Sequence, residues 1–123
     1  MAWTLDSDRP IYAQIVDRLK LQIVSGNYPP GARLPSVREL AAQASVNPNT
    51  MQKAFTELER TGLIVTLRTS GRIVTQDGER IAGARRELAQ EQVRLFWEQM
   101  TQLGYDREQI LSLLLETGGN THE

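Results

Sequence analysis

A chain of 123 residues, 40% apolar and 24% charged, is long enough for one principal hydrophobic core and an appendage, a composition that argues against both disorder and a membrane span. With no cysteine there are no disulfides, thiolate metal sites or cysteine nucleophiles, and the one histidine, His122, lies in a polar tail, so neither a metal site, a cofactor nor catalysis is expected. The net charge of -1 conceals an asymmetry: residues 1–75 carry nine Lys/Arg against six Asp/Glu (+3), residues 76–123 five against nine (-4), which suits a head that meets polyanions and a tail that meets partners.

The opening Met1-Ala2-Trp3-Thr4-Leu5-Asp6 lacks the basic and apolar regions of a signal peptide, and no apolar run approaches the roughly 20 residues of a bilayer span, so a cytoplasmic protein without membrane contact is expected. Pro10 preorganises a first helical turn, and Ile11, Ile15, Leu19 and Ile23 repeat at i+4 beside Tyr12 and Val16, predicting an amphipathic helix over about 10–25. Gly26 stops it, and Asn27-Tyr28-Pro29-Pro30-Gly31 cannot continue it, which leaves a connector to Pro35. Ser36-Val37-Arg38-Glu39 reads as a capping box and starts a short second helix that buries Val37, Leu40 and Ala41 or Ala44 and ends near Ser45. Only a tight turn separates it from the next start signal, Asn47 as N-cap with Pro48 at the first helical position.

The third helix is predicted from Pro48 to Arg60, with Met51, Phe55 and Leu58 inward and Gly62 at its end. Asn49, Thr50, Gln52, Lys53 and Thr56 occupy its other face, all side chains able to bond base edges or phosphates. Two β-rich runs follow, Leu63 to Leu67 and Arg72 to Thr75, joined by Arg68-Thr69-Ser70-Gly71, so a small hairpin with a basic tip is expected. The order of helix, short helix, tight turn, polar-faced helix and basic hairpin describes a winged helix-turn-helix, whose third helix enters the major groove of double-stranded DNA. From about Asp77 to Leu103, Ala89, Val93, Phe96, Met100 and Leu103 make a narrow apolar seam. Gly104 breaks it, and a capping box of Asp106 and Gln109 opens a last helix containing Ile110, Leu111, Leu113, Leu114 and Leu115, ahead of a polar tail from Thr117. So many apolar positions in so short a helix call for a second subunit as cover.

The fold class is therefore mainly α with a small β-hairpin: a DNA-binding winged helix-turn-helix over 1–76 and a C-terminal two-helix dimerisation segment over 77–123, forming a homodimer. Its dimer face is expected from Val93, Phe96, Met100, Leu103, Ile110, Leu111 and Leu114. The stripe Phe96, Trp97 and Met100 reads as packing before it reads as a ligand pocket. A winged helix can also serve as a protein-interaction module, but the polar recognition face and basic wing oppose that reading here.

The string Pro29-Pro30-Gly31-Ala32-Arg33-Leu34-Pro35-Ser36-Val37-Arg38-Glu39-Leu40-Ala41, together with Asn47-Pro48-Asn49-Thr50, Ala54, Leu58 and Gly62, resembles the GntR superfamily of bacterial regulators. The opening Arg9-Pro10-Ile11-Tyr12 and the two-helix tail are similar to its small YtrA-type branch. The resemblance implies DNA contacts from Ser36 and Arg38, with Arg33 in the same string, from Asn47, Asn49, Thr50, Gln52 and Lys53, and from Ser70 and Gly71, while Arg68 and Arg72 flank the wing tip as phosphate partners. It also implies a homodimer that binds palindromic operators, most often as a repressor, with transporter operons as targets, and it leaves a small-molecule effector open. The chain departs from many relatives in having Gln52 in place of Arg and Thr69-Ser70-Gly71 in place of a Gly-x-Gly wing; Gln pairs with adenine where Arg favours guanine, so relatives' operators do not transfer.

Overall fold

A computed structural model describes residues 3–118; His122 and most of the polar tail expected at the C-terminus fall outside them. The elements run α1 (Ile11–Val24), α2 (Val37–Ala44), α3 (Pro48–Arg60), β1 (Ile64–Leu67), β2 (Gly71–Val74), α4 (Gly78–Gln102) and α5 (Arg107–Gly118). This is the winged helix-turn-helix order followed by two further helices. The chain forms two compact units that divide between Arg86 and Glu87, inside α4. The charge and periodicity pattern changes ten residues earlier, at 76/77, but Ile81 in the first turns of α4 is buried and belongs to the first unit.

In the first unit α1 buries Ile15, Val16, Leu19, Ile23 and Val24, the i, i+4 stripe of the sequence with its neighbours. The helix ends where Gly26 takes φ +89, a conformation that costs glycine nothing. Gln14 is also buried: its side-chain carbonyl accepts the Asp6 N–H at 2.6 Å, and its amide donates to the carbonyls of Asp6 at 2.7 Å and Arg9 at 3.0 Å. That amide ties the segment before α1 to the helix by satisfying backbone groups that would otherwise be lost to water.

Both halves of the α2 capping box form, Glu39 N to Ser36 Oγ at 3.0 Å and Ser36 N to the Glu39 carboxylate at 2.9 Å. The turn to α3 is tight because Ser45 adopts φ 58, ψ 47, and α3 then starts on Asn47, whose Oδ1 accepts the Asn49 N–H at 2.7 Å. Met51, Ala54, Phe55 and Leu58 are buried as α3 packs against both α1 and α2.

The wing is broader than a hairpin. β1 and β2 pair antiparallel from Ile64 opposite Val74 to Leu67 opposite Gly71, and Gly71, expected in the turn, opens β2 at φ +76. The connector after α1 lines the other edge of β2: Leu34 N donates to Arg72 O and Val74 N to Ala32 O, both at 2.9 Å, with Arg33 bridged to Ile73. The root of the two-stranded wing is thus hydrogen-bonded on both edges of β2, by β1 on one side and by an isolated bridge from the connector on the other.

In the second unit Asp106 and Gln109 form the expected capping box, with both bonds 2.9 Å, at the start of α5. Val93, Leu103, Leu111 and Leu114 are 59%, 71%, 41% and 45% exposed, and Phe96 and Met100 are half-buried. Ile110 departs from the expected dimer face: it is fully buried in the single chain and offers no surface to a partner. Ile110, in the first turn of α5, is the one residue of that helix that is buried, and so is not part of the open apolar face.

Ser45 is the one described non-glycine residue with positive φ, a conformation that disfavours any side chain with a Cβ. Ser45→Gly should therefore raise stability by about 0.5–1 kcal/mol, seen as a higher urea midpoint at constant m-value; an unchanged midpoint would mean that the turn holds no such strain.

Candidate nucleic-acid interface

The polar residues of α3 lie on the face opposite its buried stripe because 3.6 residues per turn separate the two sets. Asn49, Gln52, Lys53 and Thr56 are exposed and Thr50 is half-buried. Gln52 and Thr56 touch through a 3.4 Å side-chain bond, and the Thr56 hydroxyl also donates to the Gln52 carbonyl at 3.0 Å. One hydrogen of the Gln52 side-chain Nε2 and its side-chain oxygen Oε1 remain open to another partner, the Thr56 bond having gone to the backbone carbonyl. Asn47 is engaged first as a helix cap.

Arg38 occupies the second position of α2, exposed and without an ion pair or hydrogen bond from its side chain among the described residues. Beside it the Ser36 hydroxyl accepts the Glu39 N–H through its Oγ. The exposed Glu39 carboxyl is held below the usual carboxylate range: the hydrogen bond from the Ser36 backbone N–H leads, the bond from the Ser36 side chain follows, and the nearby Arg33 charge adds attraction. Arg33, Ser36, Gly71 and Arg72 line one groove between the wing root and the start of α2. Arg33 and Arg68 are exposed and Ser70 is half-buried.

Arg72 differs from the phosphate partner expected at the wing tip. Its guanidinium carbon lies 5.1 Å from the centroid of the Phe55 ring, and its Nε lies 3.5 Å from the Glu59 carboxylate without donating a hydrogen bond. The Glu59 carboxylate also accepts the Thr66 hydroxyl, so one residue of α3 joins both strands of the wing. Nothing in the local sequence marks Glu59 for this role, since the partners come from three separate elements. Two further arginines of the first unit, both exposed, are bonded to helix ends: Arg80 donates to the Thr61 carbonyl at 2.9 Å, and Arg85 donates twice to the Val24 carbonyl at 3.1 and 3.0 Å. Each caps the C-terminal end of a helix, where positive charge is favourable.

A polar-faced helix, an unpaired arginine on the preceding helix and a wing held to the polar-faced helix are the parts of a DNA reader. The model of bacterial regulatory proteins of the gntR family matches residues 11–74, which span all three. The chain belongs to the GntR family. It is similar to the HTH-type transcriptional repressor YtrA of Bacillus subtilis, 41% identical over 100 residues that cover 81% of this chain and 72% of the relative. A GntR family transcriptional regulator from Listeria monocytogenes has the same fold at a TM-score of 0.82 and 39% identity, over 92% of this chain and 99% of that one. The GntR head also resembles the AraR DNA-binding domain in complex with operator ORX1, with a TM-score of 0.52 and 28% identity over 61% of this chain and 92% of that chain. This GntR protein is thus a DNA-binding transcription regulator with YtrA-type relatives. No helix among its described residues is long and apolar enough to cross a membrane.

Arg68 and Arg72 should separate cleanly on substitution. Arg72→Ala should lower stability by about 1–2 kcal/mol, from the lost aromatic contact and half-buried ion pair, whereas Arg68→Ala should leave the melting temperature alone and lower the salt slope of DNA binding by about one unit. Equal melting temperatures for the two variants would contradict the inward role of Arg72.

Proposed function

We propose that the protein binds palindromic operators as a homodimer, one head per half-site, and represses transcription by occupying promoter DNA. The observation that carries this reading is the exposed row Asn49, Gln52 and Lys53 of α3 beside the unpaired Arg38 of α2. Asn49, Thr50 and Gln52 carry neutral groups suited to base edges, while Arg33, Lys53 and Arg68 carry the charge that phosphates require. Arg38 meets guanine or phosphate as an anchor, and Ser36, Ser70 and Gly71 bring small donors or bare backbone to the strand. Control of transporter operons is the target class that the YtrA-type resemblance implies.

A homodimer follows from the exposed apolar residues Val93, Leu103, Leu111 and Leu114, since a second copy covers them and brings two heads to one operator. The shallow groove on α4 lined by Val93, Arg94, Trp97 and Thr101 belongs to the same face, and we assign it to the partner copy rather than to a small effector. The full chain should sediment as a dimer at micromolar concentration. Val93→Glu with Leu111→Glu, both on exposed positions, should yield a folded monomer with much weaker operator binding; a double variant that remains dimeric would place the interface elsewhere.

Arg38→Ala removes no core volume and leaves the Ser36–Glu39 box intact. Stability should change by no more than about 0.5 kcal/mol, and operator affinity should fall by roughly 2–6 kcal/mol per dimer because a charge-assisted contact is lost twice. Melting and operator titration of this variant together decide the assignment: unchanged affinity, or a large drop in melting temperature, would overturn it.

A further inference from the structure

Lys53 does not stand free on the recognition helix. Its Nζ lies 4.1 Å from the centroid of the Tyr12 ring, in the first turn of α1, and it has no carboxylate partner among the described residues. The pair exists because α1 packs along α3, which sets the ring beside the exposed row of α3. A lysine on an open helix surface samples many rotamers, and much of that freedom is lost when its ammonium meets a fixed phosphate. An aromatic face attracts the ammonium through its negative quadrupole, and it occupies only one side of a group with three N–H donors. The other donors stay available, so the ring and a phosphate can hold the same ammonium at once.

We propose that Tyr12 is a positioning residue for DNA recognition: its ring fixes the Lys53 ammonium where it meets a backbone phosphate, which makes α1 a participant in binding through α3. This rests on the reading of Lys53 as a phosphate ligand. Tyr12 is half-buried, and the contact uses the face of its ring rather than its hydroxyl. Phenylalanine keeps that face, whereas leucine keeps apolar bulk and removes it.

The test is operator affinity over a salt series, with melting curves, for Tyr12→Phe, Tyr12→Leu, Lys53→Ala and the Tyr12→Leu/Lys53→Ala pair. Lys53→Ala should weaken all DNA sequences alike and lower the salt slope by about one unit. Tyr12→Phe should stay within about twofold of the parent, and Tyr12→Leu should lose roughly three- to tenfold, a loss that vanishes in the Lys53→Ala background. Replacing position 12 by phenylalanines of increasing fluorine content keeps the ring's shape while draining its face of negative charge; affinity should fall stepwise with fluorination, which settles the question even if leucine unfolds the head. Tyr12→Leu or full fluorination without effect, or the same leucine loss when Lys53 is absent, would overturn the positioning role while leaving Lys53 as a ligand. Lys53→Ala without effect would instead remove the phosphate reading itself, and the inference with it.

Discussion

The burial of one stripe of α3 is the constraint on which the rest of the head depends. Met51, Ala54, Phe55 and Leu58 are all but sealed from water between α1 and α2. Full burial of side chains of the size of Met51, Phe55 and Leu58 is worth about 1.5–3 kcal/mol each, far more than any exposed polar contact on the same helix. The stripe therefore fixes the rotation of α3 about its axis, and the rotation decides which residues face outward. A recognition surface of Asn49, Gln52, Lys53 and Thr56 is the geometrical complement of the core, not an independent feature.

Six arginines of the first unit divide into two groups by what surrounds them. Arg72, Arg80 and Arg85 are turned onto partners within the fold: an aromatic ring and a carboxylate for the first, helix-terminal carbonyls for the others. They hold the wing and the start of α4 to the helices. Arg38 and Arg68 have no such partner and keep their charge for solvent or a ligand, and Arg33, though exposed, acts on the nearby Glu39 carboxylate. Charge count alone does not distinguish the groups, and the electrostatic footprint of the DNA-binding surface is smaller than the number of arginines suggests.

The second unit solves a different problem. A single head presents few contacts, and non-specific phosphate attraction falls steeply with salt, so two heads joined in one molecule gain affinity that neither has alone. In the proposed homodimer the open apolar positions of α4 and α5 are what join the two heads, at little cost to the folding of the first unit, which has its own buried core. The negative balance of residues 76–123 also keeps this segment from competing with the head for the polyanion.

Local sequence rules were sufficient for every feature whose cause lies within a few residues. The capping boxes at Ser36 and Asp106, the Asn47-Pro48 start, the stop at Gly26 and the apolar stripes of α1 and α3 are short-range matters of dihedral preference, orphan backbone groups and periodicity, and they carried the fold class and the polar recognition face with them. What only the tertiary structure decided lies in contacts between residues distant along the chain. Arg72 reads from sequence as a wing-tip cation, and only the approach of Phe55 and Glu59 turns it inward; Ile110 reads as one more exposed apolar residue of α5, yet it is buried. The bridge from the connector to the wing root, the Gln14 clamp, the carbonyl caps from Arg80 and Arg85 and the Tyr12–Lys53 pair have the same origin. A side chain's periodicity tells which face of its helix it occupies, but what it meets there is set by the other elements that the core brings alongside.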